Sequence, residues 1–320
     1  MKRAEAVLSG VCAMLCIALC LLYPASVLAA ARDSFSLFVH GLLPALFPSF
    51  VLASVLTASG LPERAGRLLS PVMRRLGLPG EAGLLMVLGA VSGYPVGAKL
   101  TATLYDRREI DLPAAERLCA ACNLASPMFL SGTLAAAILN SPSLGLVMMA
   151  SHWIGALCVL LLGALFGKSR AAAALPLPDM AVDFSLAKSL MSAVAEGMAA
   201  MLRVCGAIML FAVIVAALKV SGMLSAFCSG FAALGLDPGL VEAAVTGFFE
   251  KTSGAAAVAA LPSLSLSVKA ALCSFFAAFG GCSILLQTLF FLPVRPSRYW
   301  GYKLVQGIVS AVVTLVLAGL

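Results

Sequence analysis

The chain has 320 residues, of which 62% are apolar and 11% charged, and a formal net charge of +7; its mean hydropathy is +1.07. A soluble fold covers itself with roughly a quarter charged residues, so this composition excludes a water-soluble domain and points to an all-α, polytopic membrane protein. The basic excess reads as topology, with Lys and Arg held at the cytoplasmic face; no basic stripe with interleaved aromatics suggests nucleic acid.

In chain order, Lys2 and Arg3 precede an apolar run over residues 7–31. It ends in small residues as a secretory signal does, but exceeds the usual apolar core of about 7–15 residues. It is read as a retained first membrane helix within residues 1–34, with cleavage after Ala29 or Ala30 as the alternative. A second run, 35–60, carries Pro44 and Pro48. Residues 61–80 alternate Arg64, Arg67, Arg74 and Arg75 with Leu68, Leu69, Val72, Met73 and Leu76, the pattern of a basic amphipathic helix at the headgroups. The run 81–105 is interrupted by Ser92-Gly93-Tyr94-Pro95-Val96-Gly97-Ala98-Lys99. A charged connector containing Arg107, Arg108, Glu116 and Arg117 follows. The run 118–139 is interrupted at Asn123 and Ser126-Pro127, and 144–166 completes the first half.

Residues 168–188 form a polar linker at the midpoint. Beyond it come the runs 189–218, 239–261 and 268–292. The second is broken at Glu250-Lys251-Thr252-Ser253-Gly254. The third is broken at Gly280-Gly281-Cys282-Ser283 and carries Gln287. After Arg295, Arg298 and Lys303, a last membrane helix lies within residues 293–320.

The two halves, 35–167 and 189–292, echo each other. Arg75-Leu76-Gly77-Leu78-Pro79-Gly80-Glu81 resembles Ala233-Leu234-Gly235-Leu236-Asp237-Pro238-Gly239, and each follows an apolar run ending in Ser-Gly. Paired interrupted helices in two halves are the signature of a secondary transporter. Charge bias sets the orientation. If 81–105 is a re-entrant hairpin, Arg64–Arg75, Arg107, Arg108, Lys168 and Arg170 all fall inside; if it spans, the last four fall outside. The favoured reading has about seven spanning helices plus two re-entrant hairpins, with the halves inverted.

Irregular backbone at membrane depth survives only when buried in protein or lining a watery cavity. The breaks therefore name the candidate solute contacts: Ser92, Gly93, Tyr94, Asn123, Ser126, Glu250, Thr252, Ser253 and Gln287. Most are uncharged donors or acceptors, suited to a neutral hydrogen-bonding solute. Glu250 is the most pointed, because an ionisable group inside a membrane run marks a pathway or a structural pair; Lys251, Lys99 and Arg203 are its candidate partners. Arg203 and Glu196 read as snorkelling side chains. His152-Trp153 reads as an interface marker. Cys119 and Cys122 have redox or zinc spacing, but no second pair accompanies them. No metal or cofactor is implied, and no catalytic constellation assembles, so the chain is not read as an enzyme.

These motifs carry a resemblance. Leu43-Pro44-Ala45-Leu46-Phe47-Pro48, the run Ser92 through Lys99, Glu116-Arg117-Leu118 and Asn123-Leu124-Ala125-Ser126-Pro127-Met128-Phe129 resemble the YlbJ-type sporulation integral membrane proteins. So do Gly247 through Gly254 and Phe279 through Gln287. The family more often has Asn-Asn-Ser/Gly-Gly-Pro where this chain has Asn123 through Pro127. These proteins belong to a wider group with a nucleoside-recognition (Gate) domain, which would make residues 35–167 and 189–292 Gate-like repeats. The resemblance implies a multi-pass protein of the bacterial inner membrane, used in building the spore cortex. It also implies likeness to concentrative nucleoside transporters. The expected activity is transport or gating of a small polar, nucleoside-like solute; the rival is a non-transporting scaffold. Expected partners are the lipid bilayer, that solute, and a second copy or other sporulation membrane proteins.

Overall fold

A computed structural model describes residues 2–166, 185–232 and 234–319, and all their regular structure is helical. Residues 168–184 of the expected linker lie outside the described residues. Ser185 caps the helix that follows, accepting from Lys188 N.

The first helix, α1 (Lys2–Leu22), is followed after one residue by α2 (Pro24–Leu37). The sequence reading put this break near residues 32–34. The structure puts it at Tyr23, with φ −126° and ψ 52°, and bends the chain there by 102°. Pro24 has no N–H to donate and pushes the residue before it out of the helical region. Arg32 and Asp33 lie inside α2, where Ser34 Oγ donates to Ala31 O at 3.0 Å. A π-helical turn (Phe38–Leu42) leads into α3 (Leu43–Ala58). Pro44 and Pro48 remove two i→i−4 donors, and such a turn is one way a helix absorbs that loss.

The amphipathic helix α4 (Leu61–Arg75) buries Met73 and packs on α5 (Glu81–Ser92). Next come α6 (Val96–Asp106) and α7 (Leu112–Cys122), the latter capped by Asp111 through Ala114 N. The chain leaves helical geometry at 123–126, resumes as a π-helical stretch (Phe129–Ile138) and enters α8 (Leu144–Phe166). The second half runs α9 (Leu186–Val220), α10 (Met223–Ala232), α11 (Pro238–Phe249), α12 (Lys251–Ala259), α13 (Leu266–Phe279), α14 (Gly281–Leu289) and α15 (Pro296–Gly319).

The breaks in the runs 81–105 and 239–261 are hairpins. A Cβ on Gly89 in α5 would sit 3.2 Å from Gly97 Cα in α6, and a Cβ on Gly254 in α12 would sit 2.6 Å from Gly247 N in α11. The chain therefore folds back on itself at each place, with glycines letting the two arms touch.

The two halves form the same local bonds. Gly77 and Gly235 have φ 68° and 78°. Around the first, Leu76 N and Leu78 N both donate to Met73 O; around the second, Leu234 N and Leu236 N both donate to Phe231 O. These are helix ends closed by a left-handed glycine. Gly60 and Gly222 likewise have φ 70° and 74°. The preceding Ser59 and Ser221 hydroxyls turn back to Leu56 O and Leu218 O. Packing partners correspond as well: α3 touches α4 and α5 while α9 touches α10 and α11, α6 packs on α7 as α12 does on α13, and α7 and α13 each meet both α8 and α15.

The α8, α13 and α15 contacts use small residues. A Cβ on Gly155 would come within 2.8 Å of Gln306 O, and one on Gly307 within 2.9 Å of the Phe275 ring. Ser310 Oγ donates to Ser151 O at 3.3 Å and Thr314 Oγ1 to Ser274 Oγ at 2.8 Å, the polar bonding that suits helices packed in lipid. By length and composition, four described helices can cross a membrane: Leu144–Leu165, Leu186–Val220, Leu266–Leu289 and Pro296–Gly319. The bent pair at Pro24 makes a fifth if it is one span.

Candidate functional site

The first hairpin turns at Ser92-Gly93-Tyr94-Pro95. Gly93 has φ 84°, and a Cβ there would lie 2.6 Å from Ser126 Cβ. The Tyr94–Pro95 bond is cis. Gly89 and Gly97 both face the Cys122 carbonyl so closely that a Cβ on either would overlap it. Glycine thus seats this hairpin on the end of α7. The second hairpin turns at Glu250, whose extended backbone starts α12 and whose carboxylate caps it. Oε1 accepts from Thr252 N at 3.0 Å and Oε2 from Ser253 N at 2.7 Å, satisfying two otherwise orphaned donors. The turn is seated through Gly281, where a Cβ would lie 2.6 Å from Phe248 O.

Between the hairpins lies the interruption of the α7 run. Asn123 is fully buried and is its hub: Oδ1 accepts from Ala98 N at 3.3 Å, and Nδ2 donates to Thr288 Oγ1 at 3.0 Å and Tyr299 Oη at 3.4 Å. It joins α6, α14 and α15. Its carbonyl, with that of Ala120, accepts from Lys303 Nζ at 3.2 and 3.4 Å. These are orphan acceptors at a helix C-terminus, where a cation is favoured. Gln306 Oε1, 2.6 Å from Nζ, completes the buried ammonium's partners. Ala125 N donates to His152 Nε2 at 3.0 Å, and Ser126 Oγ accepts from Phe129 N at 3.2 Å. Asn123 O and Ala125 N, freed by the break, are thus bonded within the protein, as hydrocarbon requires.

A cavity of about 320 Å³ opens between the two hairpin turns. Of the nine expected contacts, Tyr94, Ser126, Glu250, Thr252 and Gln287 line it. Ser92, Gly93, Asn123 and Ser253 do not: Asn123 is spent on the hub, Gly93 on seating the turn and Ser253 N on Glu250. The apolar wall comes from Leu42, Leu46, Val204 and Ile208, and His40, Lys251 and Ser283 also face the space. Tyr94 crosses the halves, its hydroxyl donating to Ala277 O at 2.9 Å. Lys251 Nζ lies 4.3 Å from the ring centroids of both Tyr94 and Phe129.

Several expectations change. His152 is fully buried and bonded to Ala125 N, so it is not an interface marker. Glu116 and Arg117, read as connector charges, are also buried. Glu116 accepts from Arg295 N, Nε and Nη2, each at 2.8 Å, and lies 3.8 Å from Arg298 Nη1. That bond raises the Arg295 guanidinium above its ordinary value. Arg117 donates to Gly163 O at 2.7 Å and Leu76 O at 2.6 Å. Glu196 does not snorkel alone; Lys99 Nζ holds it at 2.7 Å and bonds Ser54 Oγ at 2.7 Å. None of Lys99, Lys251 and Arg203 forms a direct ion pair with Glu250; its direct partners are the backbone donors Thr252 N and Ser253 N. Cys119 and Cys122 are buried free thiols, and among the described residues no cluster of three or more His, Cys, Asp or Glu gathers to hold a metal ion. The sequence showed Lys303 and His152 as charges or markers beside apolar runs, not as the buried partners of the Asn123–Ala125 backbone that the fold makes them.

A family model described as nucleoside recognition (Gate) matches residues 39–199. The chain is similar to the sporulation integral membrane protein YlbJ of Bacillus subtilis (strain 168), at 30% identity over 92% of this chain and 78% of that protein. No solved structure matches.

Proposed function

Because the chain belongs to the YlbJ-type sporulation integral membrane proteins, we propose that it is a transporter or gate for a small polar, nucleoside-like solute. It would act in the bacterial cell membrane while the spore cortex is built. The observation that carries this reading is the cavity between the two hairpin turns, lined by Tyr94, Ser126, Glu250, Thr252 and Gln287. Irregular backbone converging on a polar cavity is where transporters place their solute. The matched turns at Gly77 and Gly235 and the corresponding packing partners support two related halves. With the basic face of α4 in the cytoplasm, the α5–α6 hairpin enters from inside, because Arg107 and Arg108 follow it. The α11–α12 hairpin enters from outside, since residues 260–265 contain no Lys or Arg. Lys219 and Lys269, on that outer side, are engaged with Glu242 and with Ala259 O. The reading is non-enzymatic.

Uptake of radiolabelled uridine and other nucleosides into proteoliposomes tests the proposal. The parent chain should accumulate a labelled solute that Gln287→Ala and Glu250→Gln reduce at least several-fold. A chain that takes up none of a broad metabolite panel, with both variants still supporting sporulation, would favour the scaffold.

A further inference from the structure

We infer that the solute carries an oxyanion, a carboxylate or a phosphate, which Lys251 and Ser283 bind; this deepens the transport reading and rests on it. Lys251 faces the cavity, and the adjacent Glu250 carboxylate acts on its ammonium through space without a direct ion-pair contact. Its near neighbours are the Tyr94 and Phe129 rings, each 4.3 Å from Nζ to centroid. The adjacent Glu250 is turned to the backbone, with both oxygens taken by Thr252 N and Ser253 N. A second ammonium, Lys303 Nζ, stands 5.3 Å from the Tyr94 ring centroid and is held only by neutral oxygens. Around one tyrosine the protein therefore gathers two cations against one carboxylate. Ring faces recover part of the cost of a desolvated ammonium, but an opposite charge recovers more.

Ser283 is the independent observation. It is 1% exposed, it lines the same cavity, and its Oγ has no hydrogen-bond partner. A buried hydroxyl left unbonded is costly. An ammonium without a direct ion pair and an unbonded hydroxyl on one cavity are the complement of an oxyanion, which takes both as charge-assisted bonds. The volume, about 320 Å³, is at the small end of metabolite sites.

The test reads the charge of the cavity directly. Thr133, on its wall, is changed to Cys in the full chain reconstituted in liposomes. The rates of modification by anionic, neutral and cationic methanethiosulfonates are measured as the increment over the ten native cysteines. The anionic reagent should outpace the cationic one by on the order of tenfold. Lys251→Met should abolish that preference and Lys251→Arg keep it. Uridine 5′-monophosphate or uridine 5′-carboxylate should slow modification more than uridine, and whichever does so assigns the acid. If the anionic reagent has no advantage, or uridine protects as well as both acids, or neither acid protects, the oxyanion is wrong and the transport reading survives. If even the neutral reagent cannot reach Cys at 133, the cavity is closed to water and the reading beneath fails as well.

Discussion

Lys251, in the turn of the second hairpin, holds its ammonium 4.3 Å from the ring centre of Tyr94, in the turn of the first. Residues 157 positions apart thus meet where the two hairpins end. The ring is fixed from the other side by its hydroxyl on Ala277 O, so one tyrosine couples both hairpins to the α13–α14 break.

Tyr94→Phe keeps the ring for Lys251 and deletes only the hydroxyl. It should lower stability by about 1 kcal/mol, the net worth of one buried hydrogen bond. Tyr94→Ala also removes the ring and should cost more. Reversible unfolding of the purified protein in detergent checks both.

The hairpin glycines give a steric contrast. Gly97→Ala would drive a methyl group into the Cys122 carbonyl, and Gly89→Ala would do the same. Each should lower the yield of folded protein sharply, because packed backbones cannot move apart cheaply. Gly230→Ala meets nothing within 4 Å in α10 and should leave the yield unchanged or raised. Size-exclusion profiles of the three variants decide this.

Glu250 separates folding from function. Glu250→Ala loses both capping oxygens of α12 and should cost about 1 kcal/mol of stability. Glu250→Gln keeps one acceptor and most of the cap, so its thermal midpoint should stay near that of the parent. Uptake should fall in both variants; uptake that instead follows stability would make the carboxylate only a cap.

Glu116 is the buried half of its ion pair, at 0% side-chain exposure against 46% for Arg295. Removing Arg295 strands a carboxylate in the interior, with Arg298 at 3.8 Å as an imperfect substitute. Arg295→Gln should therefore destabilise more than Arg298→Gln. The double variant Glu116→Gln with Arg295→Gln should destabilise less than the sum of its singles. Thermal midpoints of the four variants measure the coupling.

The breaks were legible because Gly93, Pro95, Gly97, Gly280 and Gly281 carry their backbone preference in their own identity. Glu250 was legible because a carboxylate in an apolar run is rare. The first bend was not legible as a break because Pro24 lies inside a continuous apolar run, yet its missing N–H acts on the backbone itself. The hub around Asn123 was half legible. Its irregular backbone shows in Ser126-Pro127, but the groups that satisfy it come from His152 on α8 and Lys303 on α15. Charges such as Glu116 and Lys303 look like flanking topology signals until folding brings their partners, 179 and 180 residues away along the chain, into reach.

The most direct test is the side from which each hairpin enters. Asp106 ends the first hairpin and Ser263 follows the second, and both are exposed. Single cysteines at these positions, probed in intact cells with a membrane-impermeant maleimide against the parent chain, should label Ser263→Cys directly and Asp106→Cys only after permeabilisation. Labelling of both from the same face would contradict inverted halves and the shared cavity built on them.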